Sequence, residues 1–462
     1  MADEARDAGE GMAGAGQLEL ARGVADRREA GTREAGSREA ARRELNWIFV
    51  DLNSYFASCE QDARPELRNR PVAVVPLQAD TTSVIAASYE AKAFGVKTGT
   101  LVGEARRMCP GIELVEARHE LYVEYHHRIV EAVEGCLPVT AVLSIDEMAC
   151  RLMGRERELV EALRLGERVK RAIGGVAGGT LRCSVGLAPN RWLAKIASDM
   201  EKPDGLVALP PDLLRDALLG LELRDLPGIG ARTEKRLRAQ GIGSMAELMA
   251  QSREQMHGLW GSVWGERLWY WLRGEDFDLE DAGHAQSMGH QHVLGPELRT
   301  VDKAWAVALK LLHKAAMRMR REGLWAGRVS VSVGFVGKAP MRGSTPFGPA
   351  RSETWHREAA IAECQDTTTL IEVLRRLWEM MPPEKTQPFF VSVTLGELVS
   401  EAEHRLTLFE DEDGSRQRRK LATAMDAVNG KYGLGTLAPA TMMTALKAAP
   451  TRIAFRTIPE IF

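Results

Sequence analysis

Residues 142–152 read VLSIDEMACRL, an apolar run with an aspartate and a glutamate side by side at its centre. A buried strand rarely carries one carboxylate, and two adjacent ones cost several kcal/mol unless something positive neutralises them. The pair therefore marks either an exposed turn or a place where a cation sits. Strict alternation sends neighbouring strand residues to opposite faces, so Asp146 and Glu147 can serve one site only at a bend or strand end.

A third acid follows the same logic. The stretch NWIFVDLNSYFASCE reads as a strand, Trp47 to Val50, closed by Asp51, and PVAVVP at 71–76 reads as a second strand. Strands and helix-like segments alternate up to the acidic pair, which predicts an α/β sheet displaying carboxylates at one edge. Three carboxylates so placed suit magnesium, a hard cation that takes one or two protein carboxylates and lets substrate phosphates fill the rest.

Two cationic groups accompany the acids. In VIAASYEAKAFGVKTGT, Tyr89 and Lys92 are three residues apart and share a face if a helix begins at Ala91. In LAPNRWLAKIASDMEKPDG, Lys195 lies one helical turn after Arg191. Such cations suit a nucleotide triphosphate; taken alone, a solvated helix face is the plainer reading of Lys195.

At 462 residues the chain is long enough for about three or four domains of ~150 residues. Its six cysteines form no C-x-x-C pair, so neither a zinc site nor a disulfide framework is expected. No run of ~18 apolar residues predicts a membrane span. Early acids and the lack of an apolar signal core point to a cytoplasmic protein. The net charge of −3 offers no global argument for nucleic acid, so any such contact must come from local charge.

Residues 1–44 are an Ala/Gly/Arg/Glu tract with loose REAG, REAGS and REAAR pieces, expected to be a disordered extension or a fluctuating solvated helix. Breaks are predicted at Lys202-Pro203-Asp204-Gly205 and at Pro210-Pro211. Residues 212–280 read as all-helical and contain LRDLPGIGARTEKRLRAQGI. From Ser287 to about Leu398 the pattern is β-α-β-α-β with room for one more strand. The tail carries RLTLF, an acidic-then-basic linker, and a module ending TRIAFRTIPEIF.

FVDLNSYFASCE, SYEAKAFGVKTG, LSIDEMA, SVGLAPNRWLAKIASDMEKPDG, LPGIGARTEKRL and SMGHQHVL occur in the order and approximate spacing of one known set. Over roughly residues 46–410 the chain resembles the Y-family translesion DNA polymerases, the DNA polymerase IV and UmuC-type enzymes. The resemblance implies an α/β multidomain, right-hand polymerase. Its parts would be palm and fingers at 45–210, a helical thumb with a helix-hairpin-helix at 211–282, a little finger at 283–400 and a tail at 401–462.

It also implies roles. Asp51, Asp146 and Glu147 match the carboxylates that hold two Mg2+ ions, with the Leu52 carbonyl as a further ligand. Phe56 matches the gate that excludes a ribose 2′-hydroxyl, and Tyr89, Lys92 and Lys195 match the groups that grip the incoming dNTP. Val84, Ile85 and Ala86 match the strand covering the nascent base pair. Two positions depart from the pattern: Asn53 replaces a frequent aspartate, and Lys92 replaces a frequent arginine and lacks its bidentate fork.

The turn at Gly228 and Gly230 matches a helix-hairpin-helix that offers backbone N–H groups to DNA phosphate. In the segment that matches the little finger, basic residues exceed acidic ones by about four, which suits a DNA backbone. RLTLF, with Leu406, Leu408 and Phe409 as anchors, resembles the peptide that docks on a bacterial sliding clamp, although Arg405 stands where glutamine is usual. The implied activity is template-directed addition of dNTPs to primer-template DNA by a monomer. The alternative is a non-catalytic Y-family accessory protein or DNA-binding scaffold, against which the presence of all three acids weighs.

Overall fold

The run WIFVDLN forms strand β1 (Trp47–Asn53), buried along its whole length, as a central strand covered on both faces should be. The computed structural model describes residues 45–80, 82–276, 286–335, 353–404, 412–433, 435–446 and 448. These form two compact units that divide between residues 278 and 279.

The first unit continues with β2 (Val72–Val75), β3 (Ala86–Ala87), β4 (Glu113–Glu116), β5 (Ala141–Val142), β6 (Glu147–Arg151), β7 (Arg182–Ala188) and β8 (Leu206–Ala208). Five of them form a sheet in the order β5-β6-β1-β7-β8, with β1 antiparallel to both neighbours. The other three form a small sheet, β3-β2-β4. The predicted break at 202–210 is thus a turn followed by β8, a strand too short and too close to the prolines to stand out by pattern.

Helices α1 (Tyr55–Ala63), α2 (Tyr89–Ala93), α3 (Val102–Met108), α4 (His119–Glu134), α5 (Leu159–Val176) and α6 (Arg191–Met200) belong to the same unit. Alternation along β1 sorts the core. Ile48, Val50 and Leu52 join a cluster with residues of α4 and α5, while Trp47 and Phe49 join one with Leu193, Ala194, Ile196 and Ala197 of α6. Asp51 and Asn53 therefore share the α6 face. Gly186, opposite Phe49 in β7, lets α6 lie close: a Cβ there would collide with the Ala194 carbonyl and the Ser198 amide.

The expected all-helical stretch consists of α7 (Pro211–Leu219), α8 (Ala231–Arg238), α9 (Met245–Met249), α10 (Arg253–Trp260) and α11 (Val263–Trp271). Ser244 and Ser252 start α9 and α10 as caps, each paired with an acid or amide three residues on. The turn before α8 holds Gly228 at φ 92° with its Cα facing Trp264, where an added Cβ would stand 3.2 Å from the indole. Both the backbone angle and the close ring call for glycine.

The second unit contains β9 (Ser287–Val293), α12 (Val301–Arg321), β10 (Leu324–Phe335), β11 (Glu353–Cys364), α13 (Thr367–Glu379) and β12 (Pro388–Ser400). The sheet order is β11-β10-β12-β9, so β11 is the additional strand for which the pattern left room. Val329, Val331 and Val333 of β10 and Val391, Val393 and Leu395 of β12 face the two helices in one core.

The expected acidic-then-basic linker is instead helix α14 (Glu412–Tyr432). Its sequence has no proline, and tertiary contacts hold it: Arg320 pairs with Asp426 at 2.6 Å, and Ala422 is buried. Beyond it, Met442 and Ala445 enter the core, and Lys310 Nζ donates to the Leu446 and Ala448 carbonyls, both at 2.6 Å. The extension 1–44, the pentapeptide 405–409 with Leu406, Leu408 and Phe409, and the closing TRIAFRTIPEIF lie outside the described residues. No described helix is long and apolar enough to cross a membrane. All six cysteines are unpaired, and all but Cys136 are buried.

Candidate active site

The antiparallel register sets Asp51 directly opposite Glu147. Strand β1 runs on to Asn53, two residues past the end expected at Asp51. Asp146 lies in the bend just before β6, not within a strand, and its carbonyl accepts the Leu52 N–H at 2.8 Å. That bend is how two consecutive acids escape alternation and stay near Asp51.

Two groups hold the bend. The Ser144 hydroxyl donates to Asp146 Oδ1. From α4, His126 Nδ1–H donates to the Ile145 carbonyl at 2.8 Å; the carbonyl can only accept, which fixes the tautomer. Burial of His126 lowers its pKa, against the opposing effect of that hydrogen bond. Neutral imidazole is therefore the folded form, and protonation penalises the native state. Stability is intact above the unfolded pKa and is lost as pH falls through about 6.5. We expect His126→Leu to cost about 1–3 kcal/mol at pH 7.5. It should also remove part of the stability loss between pH 7.5 and 5, as read by urea unfolding.

Lysines reach the acids from α6 and the turn after it. Lys195 pairs with Asp51, with Glu147 at 2.8 Å and with Asp199 at 3.2 Å. Lys202 reaches Asp51 at 2.8 Å and Asp199 at 2.7 Å. Burial works to lower the Lys195 pKa, but Asp51, Glu147 and Asp199 outweigh it and hold the ammonium above the ordinary lysine range. Asp146 differs: burial pushes its pKa up, Ser144 opposes this, and repulsion from Asp51 and Glu147 adds to it. Among the described residues no three His, Cys, Asp or Glu side chains are already gathered as a ligand set; Asp51 and Glu147 converge on an ammonium group. The donors still fit a divalent cation, being hard oxygens that include the half-buried Asp146 carboxylate, whose charge its surroundings disfavour.

Asn53 ties neighbouring segments together. Its Oδ1 accepts from the Ser184 hydroxyl and from the Asp204 N–H, both at 3.0 Å, and so fastens the turn that carries Lys202. A neutral amide does this without adding a fourth carboxylate to the cluster. The backbone carbonyl of Asn53 accepts the Tyr89 hydroxyl at 3.3 Å.

Helix α2 begins at Tyr89, two residues before the expected start, because Ser88 caps it by accepting the Ala91 N–H. Tyr89 and Lys92 do lie together, with Nζ 5.9 Å from the ring centroid. Burial and nearby Lys202 lower the Lys92 pKa, with Asp51 opposing them. Burial raises that of Tyr89.

Phe56, half-buried at the start of α1, stacks on Tyr122 with centroids 4.3 Å apart and planes 13° from parallel. The Tyr122 hydroxyl donates to Glu60 at 2.8 Å, and fully buried Glu60 also pairs with Arg64 at 2.6 Å and Arg118 at 2.5 Å. Those partners outweigh its burial and lower its pKa. Ile85 and Ala86 fringe the same apolar cluster as Phe56, whereas Val84 is buried in the small-sheet core.

Sequence reasoning missed Ser144, His126 and Lys202. Ser144 and Lys202 lie within quoted motifs but carry no signal of their own, and His126 reads as one more residue on the buried face of α4.

Three family descriptions match the chain: the impB/mucB/samB family over residues 50–199, the C-terminal domain of that family over 285–408, and the thumb domain of DNA polymerase-iota over 224–276. DNA polymerase IV of Pelotomaculum thermopropionicum is 31% identical over 410 residues, covering 86% of this chain and 95% of the relative. That of Moorella thermoacetica is 35% identical over 295 residues, covering 62% and 72%. Among solved structures, a Y-family DNA polymerase chimera of Dbh and Dpo4 superimposes with a TM-score of 0.61 at 22% identity, over 77% of this chain and 99% of its own. An insertion ternary complex of Dbh DNA polymerase gives 0.51 at 23% identity with the same coverage. Identity above 30% sustained along most of both sequences, in a chain with the same fold, means that this protein belongs to the Y family of DNA polymerases.

Proposed function

We propose that this template-directed DNA polymerase of the translesion class adds dNTPs to a primer 3′-hydroxyl at the edge where β1 meets β6. Asp51, Asp146 and Glu147, with the Leu52 carbonyl, would hold two Mg2+ ions. The observation that carries this reading is the Asp51–Glu147 register pair with Asp146 in the adjoining bend. Magnesium bound there supplies acidity to the primer hydroxyl and charge neutralisation to the leaving pyrophosphate.

The chain's own residues supply position and charge. Tyr89, Lys92 and Lys195 grip the triphosphate, Lys195 exchanging a carboxylate partner for a phosphate. Phe56 stands where a ribose 2′-hydroxyl would project, with Tyr122 behind it. Ile85 and Ala86 cover the nascent base pair, with Val84 packed behind them in the small-sheet core, leaving room for damaged templates.

In this reading residues 45–210 are palm and fingers, 211–282 the thumb, 283–400 the little finger and 401–462 a tail. Backbone N–H groups at Gly228 and Gly230 meet DNA phosphate, and residues 405–409 dock a monomeric cytoplasmic enzyme on the sliding clamp. The test is primer extension on an undamaged template with magnesium and four dNTPs. Extension supports the reading; DNA binding without extension would put the accessory-protein alternative in its place.

A further inference from the structure

Strand β7 begins with Arg182, exposed at the sheet edge and directly opposite Asn53 in the register with β1. Opposed residues of an antiparallel pair point to the same face, so Arg182 shares the face of Asn53 and Asp51. Ser184, opposite Asp51, lies on that face too, and its hydroxyl is the one bound to Asn53.

The Arg182 guanidinium stands 5.6 Å from the Tyr89 ring centroid, and Lys92 Nζ stands 5.9 Å from the same centroid. Among the described residues neither cation has an ion-pair partner. This sets them apart from Lys195 and Lys202, which are engaged with carboxylates one step inward. Lys195 and Lys202 are thus spent on the acids, whereas Arg182 and Lys92, gathered at Tyr89, hold no carboxylate in an ion pair among the described residues.

Lys92 offers a point charge where a guanidinium would offer a planar fork. Arg182 presents such a fork beside the same tyrosine, from the opposite strand. We infer that Arg182 is a further phosphate-contacting residue of this polymerase, binding the outer phosphates of the incoming dNTP together with Lys92 and Tyr89. The inference rests on the reading that the triphosphate lies at Tyr89 and Lys92. Charge-assisted bidentate contact to phosphate is the strongest hydrogen bonding an arginine makes, and an exposed, unpaired guanidinium has no carboxylate to give up first.

Steady-state single-nucleotide insertion by the full chain tests this, with Arg182→Ala, Arg182→Lys and Lys92→Ala compared with wild type. Inorganic tripolyphosphate serves as a competitive probe of the phosphate site. Arg182→Ala should raise KM for dNTP about tenfold with kcat within about twofold, weaken tripolyphosphate inhibition by a similar factor, and leave primer-template affinity unchanged. Arg182→Lys should recover much of the loss. An unchanged KM in Arg182→Ala, alongside a raised KM in Lys92→Ala, would overturn the assignment while keeping the triphosphate site. Unchanged KM in both variants would overturn the underlying placement of the triphosphate as well. A raised KM with unaltered tripolyphosphate inhibition would also overturn it, because Arg182 would then act only by packing on Tyr89.

Discussion

Asp146→Ala should abolish primer extension, lowering kcat by at least about 10³-fold, the scale on which electrostatic groups aimed at the reacting centre matter, while primer-template affinity should stay within a few fold. The expectation follows from the bend before β6. Burial, with repulsion from Asp51 and Glu147, disfavours the ionised form of Asp146 more than the Ser144 hydrogen bond favours it. Its charge is therefore a net cost to the fold that Ser144 relieves in part and a bound cation would relieve further.

The sign of that cost can be tested separately from activity. Raising the folded pKa of a carboxyl above its unfolded value penalises the native state as pH rises through the unfolded pKa, and the penalty is absent where the group is protonated in both states. Without metal at neutral pH, Asp146→Asn should melt at or above the wild-type temperature. Added Mg2+ should then stabilise wild type more than the variant, because a ligand that binds only the native state raises its stability by mass action. A variant that extends primers like wild type would remove Asp146 from the metal site.

Phe56→Ala should lower discrimination between dNTP and rNTP by about 10²-fold, within the range that shape alone commands in a pocket. A gate at Phe56 would depend on volume held in place. Phe56 cannot turn away freely, because Tyr122 lies flat against it and is itself anchored through its hydroxyl to Glu60. Removing the ring opens space on the sugar side without disturbing the anchor, so insertion of dNTPs should persist. Single-nucleotide kinetics with matched dNTP and rNTP decide the matter; equal selectivity would return Phe56 to the apolar core it fringes.

What the sequence disclosed and what it hid follow from range. Acids stand out in apolar runs, so Asp51, Asp146 and Glu147 were legible before any fold was known. Helix α12 was legible to its ends, since Thr300 caps it and its apolar residues repeat at helical spacing. Strand β11 was not, because ETWHREAAIAEC buries only Trp355 and Cys364 and its pattern is that of an exposed edge. Lys202, His126 and the Asn53–Ser184 tie were hidden for a different reason. Each acts on a segment distant in sequence, and neither residue of such a pair announces the other.

One consequence concerns Gly186. The helix that carries Lys195 rests on a spot of the sheet where no side chain exists, so the height of that helix is set by an omission. The reach of the ammonium to Asp51 and Glu147 is a matter of leverage: a shim of one methyl group beneath the helix would tilt it and shorten that reach. Charge balance at the acids thus depends on the flatness of a surface that carries no charge, and a survey of functional side chains alone would pass over the residue that governs it.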